Sequence, residues 1–335
     1  MLKLSALRNY WPLLVFGALV SVVLIFSRQL HYWLIAHPPH SWMPFVTAAQ
    51  DFLTLTLSVI IEASPFLVLG VIIATLIRRF VSPRALLRRL PRHTLLRRLI
   101  LSIIGMLLPV CECGNVPVAR SLLRNGLSPA DAVTFLLAAP ILNPITIAAT
   151  ATAFAATPHM VWWRIGAALI IVQVVALVVS RLNQKTILQP DFIAHCQNRE
   201  DASLNTLATF AHSELWQLFR MLVIGAMIAA ATQVFIPRDI LTTVGSDVIL
   251  SVLAMITLGF VVSICSSVDA FFALAYVGSF APGAILAFLV AGPMIDIKMI
   301  ALLKSTFTAR FVSIVTAITF GLTLLIGVGV NWHVG

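Results

Sequence analysis

The chain has 335 residues, 60% of them hydrophobic and only 10% charged, with a mean hydropathy of +1.02. A typical soluble domain carries about 25% charged residues, so this composition excludes one. The apolar runs are long and continuous, which excludes a membrane β-barrel, whose strands would alternate over roughly ten residues. The formal charge of +10 is concentrated. Residues 78–98, RRFVSPRALLRRLPRHTLLRR, hold eight arginines and no acid. Such a patch can serve nucleic acid, but between two apolar spans it marks the cytoplasmic side of a membrane. The four cysteines make no disulfide framework of the secreted kind.

In chain order, the basic start and apolar middle of residues 1–30 resemble a signal peptide, but no small-residue cleavage site follows LIFSRQLHYW, so a membrane anchor helix is expected. Further apolar segments fall at about 48–77, 99–119, 129–157, 161–181, 214–236, 248–265, 268–300 and 306–330. The stretch 182–213 is polar and reads as a linker. The expected organisation is an N-terminal helix and external loop (1–47), a first repeat (48–181), the linker (182–213) and a second repeat (214–335).

The halves look duplicated. IGMLLPVCECGN (104–115) aligns with LGFVVSICSSVD (258–269), matching Gly105 with Gly259, Cys111 with Cys265 and Asn115 with Asp269. FLLAAPILNP (135–144) aligns with FLVAGPMIDI (288–297), matching Pro140 with Pro293 and Asn143 with Asp296. FLVLGVIIATLI (66–77) resembles MLVIGAMIAAAT (221–232). Internal duplication with polar residues at the joint is a transporter pattern. If every segment crosses, the repeats are parallel. If 99–126 and 248–280 are re-entrant hairpins, the repeats are inverted, and Arg120, Arg124, Arg181, Lys185, Lys304 and Arg310 share the cytoplasmic side. The positive-inside rule favours the inverted arrangement. The expected fold class is an all-α polytopic membrane protein with two inverted repeats, broken or re-entrant helices and an extra N-terminal transmembrane helix.

Broken backbone at membrane depth survives only against protein or a water-filled cavity. Gly114, Asn115 and Pro117 are expected to break the first hairpin, and Cys265, Ser266, Ser267 and Asp269 to form the second tip. Pro140/Asn143 and Pro293/Asp296 are expected to interrupt the following spans and leave helix ends facing a site. Cys111, Cys113 and Cys265 would converge there and suit a soft ion or metalloid; small apolar filler is the other reading. Glu112, Asp269 and Asp296 are ionisable groups in apolar surroundings. They read either as proton-coupling carboxyls or as structural partners: Asp296 for Lys298 or Lys304, Asp269 as a helix cap. Glu62 is a weaker candidate, and His31, His37, His40 and His159 lie near loops.

PVCECGNVPVARSLLRNG, FLLAAPILNP, CSSVDAFFA and FLVAGPMID resemble the ArsP/YraQ-type predicted permease family, over about residues 48–330. The resemblance implies a polytopic bacterial inner-membrane permease, some of whose relatives export trivalent organoarsenicals. It places the family's cysteine motif on Cys111 and Cys113, its second-half motif on Cys265 and Asp269, and its paired breaks on Pro140/Asn143 and Pro293/Asp296. The chain carries no GxxxxGK[ST] motif, so transport is expected to be secondary, or to depend on a partner chain. The alternatives are a membrane thiol–disulfide electron carrier, and a permease for a small anion or polar solute that bypasses the cysteines. Expected partners are the lipid bilayer and a small-molecule substrate, with proton or cation coupling and homo-oligomerisation left open. No cofactor, nucleic acid or enzymatic activity is expected. The N-terminus and loop 78–98 are placed in the cytoplasm.

Overall fold

The computed structural model describes residues 43–80, 91, 93–106, 111–182, 186–197, 204–235 and 247–334. The N-terminal anchor, His31, His37, His40, most of loop 78–98, and Lys185 lie outside the described residues. The chain separates into two compact units, Met1–Thr54 and Leu55–Gly335. Among the described residues the first holds the opening of one helix, and the structure below is that of the second.

The described residues are helical, with two isolated bridges and no strand. Helix α1 is Met43–Phe80, α2 Thr94–Met106, α3 Glu112–Arg124, α4 Pro129–Leu142, α5 Pro144–Ala153 and α6 His159–Arg181. Helix α7 is Pro190–Gln197, α8 Leu204–Phe235, α9 Val248–Val262, α10 Asp269–Leu274, α11 Pro282–Met294, α12 Ile297–Leu303 and α13 Ala309–Val334. Helix α8 therefore starts inside the stretch read as a linker.

Among the described residues, six helical stretches are long and apolar enough to cross a membrane: Val46–Phe80, Pro129–Ala153, His159–Arg181, Leu207–Val234, Pro282–Leu303 and Ala309–His333. With no strand among the described residues, the protein is an all-α polytopic membrane protein. Its apolar side chains point outward as well as inward: Ile61, Trp162, Leu325 and Trp332 are all more than 60% exposed. Acyl chains cover such surface at no hydrophobic cost.

The expected continuous segments at 99–119 and 268–300 are each divided, the first between α2 and α3, the second among α10, α11 and α12. Helices α2 and α3, of 13 residues each, are about 20 Å long at 1.5 Å per residue, too short to cross a core of about 30 Å. Local chemistry fixes where they go. Arg97, in the first turn of α2, pairs with Asp131 in the first turn of α4 at 2.9 Å. Ser128 caps α4 by accepting from the Asp131 N–H at 3.2 Å, and Pro129 follows at the first helical position. The α2–α3 hairpin thus returns to the end it left. A single side chain does the same for the second hairpin. Asn331, near the end of α13, accepts from the Gly283 N–H at the start of α11 (2.6 Å) and donates to the Val248 carbonyl at the start of α9 (3.4 Å). The two hairpins open at opposite ends. Ser305 and Thr306, at the far end of the α11–α12 span, bond Arg120 near the end of α3.

Small residues set the helix spacing. Gly105 lies against Ala139, and Gly259 lies against Gly292. Close approach of this kind replaces the hydrophobic driving force that lipid removes. A Cβ at Gly105 would come within 2.8 Å of the Ala139 Cβ. Arg78, Arg79, Arg97, Arg124, Arg181, Lys304 and Arg310 gather at one end, here the basic end; the loop 154–158 and the turn 275–281 lie at the distal end. Cysteines introduced at the exposed positions Lys304 and Ser279 are therefore expected to react with an impermeant maleimide from opposite faces of the membrane. Labelling of both from one face would overturn this tracing.

Candidate functional site

Several expected backbone breaks shift by a few residues. Gly114, Asn115 and Pro117 do not break the first hairpin; they lie inside α3, whose N-cap is Cys111. Gly114 instead admits the α1 backbone at Gly70, where a Cβ would collide with the Gly114 carbonyl. Pro140 and Pro293 do not interrupt their spans either; they sit in the last turns of α4 and α11. The interruptions fall three residues later. Asn143 caps α5 by accepting from the Ile145 N–H at 2.9 Å, and Asp296 caps α12 by accepting from the Met299 N–H at 2.6 Å. Pro144 suits the first position of α5, where the missing N–H costs nothing. The second hairpin turns at Ser263, which closes α9 at φ 52°. This left-handed conformation costs a non-glycine residue about 1–2 kcal/mol.

The two tips meet over one lysine. Lys298 Nζ is 2.9 Å from Glu112 Oε1, 3.5 Å from Asp296 Oδ2 and 2.8 Å from the Ser263 carbonyl oxygen, to which it donates. Lys298 sits on α12, and α8 comes close behind it because Gly225 faces the Lys298 backbone. Lys298, Glu112 and Asp296 are each buried. When all three are ionised, the cluster carries one net negative charge. An ionised group in a membrane interior needs such partners.

Around the other carboxylate oxygen are thiols. Cys265 Sγ donates to Glu112 Oε2 at 4.0 Å, and Ser267 Oγ donates to Cys265 Sγ at 3.5 Å. One potential ligand atom each from Cys111, Glu112 and Cys265 falls within 4.8 Å of the others. Cys111 interacts with the thiols of both Cys113 and Cys265, and all three cysteines are free and buried. The tightest donor set is therefore two thiols and a carboxylate. Cys113, expected beside Cys111 on an open turn, is instead in the first turn of α3 and lies outside that donor set. Asn115 is fully buried, and neither atom of its side-chain amide has a hydrogen-bond partner. Ser266 is buried at the same tip. Glu62 lies on the exposed face of α1 and joins none of this.

Asp269 is not the cap of α10; Val268 holds that position and Asp269 is the first helical residue. Arg164 on α6 pairs with both its carboxylate oxygens and donates to Thr150 Oγ1 at 2.7 Å. Sequence reasoning missed Arg164, although a lone arginine six residues into an apolar helix is a signal for a buried partner. Arg120 and Arg124 are expected to face the cytoplasm. Arg120 is instead buried against Glu214 of α8 (2.5 Å), with Gln217, Ser305 and Thr306 accepting its remaining hydrogens. Lys304 is exposed, which leaves Lys298 as the cation for Asp296.

A bundle that devotes six apolar spans to enclosing ion pairs and thiols belongs to the class of polytopic membrane permeases. A family model described as a predicted permease, ArsP_1, matches residues 48–332, and the chain belongs to that family. UPF0718 protein YcgR of Bacillus subtilis (strain 168) is 37% identical over 274 residues, covering 80% of this chain and 93% of that protein. A Streptococcus mutans protein, provisionally named a two-component membrane permease complex subunit, is 32% identical over 265 residues, covering 78% and 88%. No solved structure matches.

Lys298→Met leaves two buried carboxylates without their cation and is expected to lower stability by about 3–5 kcal/mol. Adding Glu112→Gln and Asp296→Asn removes the stranded charges and is expected to recover most of that loss, read as thermal unfolding in detergent. If the triple variant is no more stable than the single one, Lys298 contributes packing rather than charge compensation.

Proposed function

We propose that the protein is a secondary permease of the bacterial inner membrane whose substrate binds between the two hairpin tips. One observation carries the reading: residues from both halves, Glu112 and Cys111 from the first and Lys298, Asp296 and Cys265 from the second, meet in a single buried cluster. A site shared between halves is the arrangement that lets rocking of one half against the other expose it to each side in turn.

The architecture we propose is a pair of inverted repeats, 48–181 and 214–335, joined by 182–213. Supporting it, each half runs in the order span, returning hairpin, broken span, span, and the hairpins open at opposite ends. The basic end is assigned to the cytoplasm by the positive-inside rule.

The substrate class we propose is thiophilic: a trivalent organoarsenical or similar soft solute, moved outward. Two thiols and a carboxylate offer a soft but open donor set, which binds without the four-thiolate closure of structural zinc. Asn115 adds unpartnered hydrogen-bonding capacity. Coupling by a proton or another cation is part of the proposal, supported by the extra carboxylate around Lys298, which leaves the ionised cluster with one net negative charge. A partner subunit is proposed from the name of the Streptococcus mutans relative.

Uptake of a trivalent organoarsenical into everted vesicles tests this. Cys111→Ser, Cys113→Ser and Cys265→Ser are each expected to lower it by about tenfold or more, since even outer-shell partners of metal ligands are worth 10–100-fold. Cys196→Ser is expected to change nothing. Undiminished uptake in the triple serine variant would make the sulfurs packing and point to a small anion or polar solute held by Asn115 and the helix ends.

A further inference from the structure

The central cluster lies between two further buried ion pairs, and each ties one half's hairpin to the other half. Near the basic end, Arg120 of α3 reaches Glu214 of α8 (2.5 Å), Gln217 (2.8 Å), Ser305 Oγ (2.8 Å) and Thr306 Oγ1 (3.2 Å). Arg124 adds a second bond to Glu214 at 2.8 Å. Toward the distal end, Asp269 of α10 is held by Arg164 of α6, which also donates to Thr150 of α5. In both cases the returning helix of one hairpin carries one charge and a long span of the other half carries the opposite one. The helix packing shows the same exchange, with α3 against α12 and α10 against α5.

Their depths follow from the chain. Arg120 is four residues from the basic end of α3, about 6 Å in, and Glu112 is about 18 Å in, at 1.5 Å per residue. Arg164 is five residues into α6 from the distal end, so across the α4–α5 span it lies roughly 24 Å from Arg120, with Glu112 about midway. The side chains of Arg120, Glu214, Arg164 and Asp269 are each at most 3% exposed.

Both pairs join a hairpin of one half to a long span of the other, and the distal one abuts the thiol cluster, where the Asp269 N–H donates to the Cys265 carbonyl at 3.1 Å. A charge pair that joins two halves, buried now but adjacent to an aqueous end, can be separated only when water enters to solvate both charges. We propose that Arg120–Glu214 and Arg164–Asp269 are the two gates of the transport pathway: the first closes the basic end, the second the distal end, and the described state has both shut. Opening one gate hydrates its pair while the other stays dry, so the bilayer is never breached. The proposal rests on the permease reading of the central cluster.

The buried thiols report on it without any substrate. In a Cys196→Ser background, Cys111, Cys113 and Cys265 are the only cysteines left, and all are buried. Their reaction with an impermeant maleimide is measured from each face, in right-side-out cells and in everted vesicles. Arg164→Met with Asp269→Asn removes the distal pair without stranding a charge. It is expected to raise the labelling rate from the distal face by about tenfold or more, the factor one decade in an open–closed equilibrium gives, with no rise from the basic face. Arg120→Met with Glu214→Gln is expected to do the reverse; Arg124, near the surface, can hydrate alone.

The milder changes Thr150→Val and Gln217→Leu each remove one hydrogen bond and keep the ion pair. They are expected to shift labelling the same way by smaller factors, and they keep the test readable if a double variant fails to insert. Equal acceleration from both faces would mean general loosening and overturn the proposal, as would unchanged labelling in an inserted, monodisperse protein. Asymmetric labelling in a protein that moves no solute would instead overturn the permease reading and leave the two-sided opening standing.

Discussion

Lys298 is the point on which the two halves depend. Its ammonium sits in the interior of an apolar bundle, where an unpaired ion is costly by several kcal/mol. It therefore requires Glu112 from the first hairpin, Asp296 from its own broken span and the carbonyl that α9 leaves free at Ser263. Each of those three groups is available only because the backbone stops being helical nearby. Glu112 opens α3 just after Cys111, Asp296 caps α12, and Ser263 closes α9 in a left-handed turn. The breaks and the charge explain one another: helix ends leave polar groups without partners, and a buried lysine gives them one.

The same constraint organises the rest of the interior. Arg98 and Arg97 answer Asp131, Arg120 and Arg124 answer Glu214, and Arg164 answers Asp269. These pairs contribute little net stability compared with well-packed apolar residues, because desolvation offsets most of their attraction. What they supply is register and choice of neighbour. Arg97 can be satisfied only if α2 and α4 start at the same end, and Arg120 only if the α12–α13 connection lies beside α3. Small residues make the spacing possible, with Gly105 on Ala139 and Gly259 on Gly292, and charges then select which arrangement of the packed helices is kept.

Function follows from how unevenly this interior is satisfied. Each flanking arginine is bound to a carboxylate of the other half, whereas one polar side chain at the centre has no partner at all. There Asn115 holds an unpartnered amide, and two thiols stand beside a carboxylate that is already shared. A cluster with spare donors and acceptors at mid-depth, flanked by ion pairs, is one that a ligand can improve. Ion-paired contacts on either side and an unpartnered amide at the centre are compatible with binding followed by release.

The sequence by itself determined the class and most of the cast. Long apolar runs require helices in lipid, because each backbone hydrogen bond must be made within the segment. The duplicated motifs located Cys111 with Cys265 and Asn143 with Asp296, and the second pair does occupy equivalent caps. What the sequence could not decide was anything set by contacts across the bundle. Hydropathy cannot distinguish a returning hairpin from two crossings, since both are equally apolar; Arg97 on Asp131 and Asn331 on Gly283 and Val248 decide it. Nor can it say which charge faces lipid headgroups and which faces the interior. Arg120, expected to face the cytoplasm, is buried because Glu214, 94 positions on, lies on the neighbouring helix. Local pattern fixes what each segment can be, while the cost of a buried charge fixes which segments must meet, and that cost is felt only once the helices are packed.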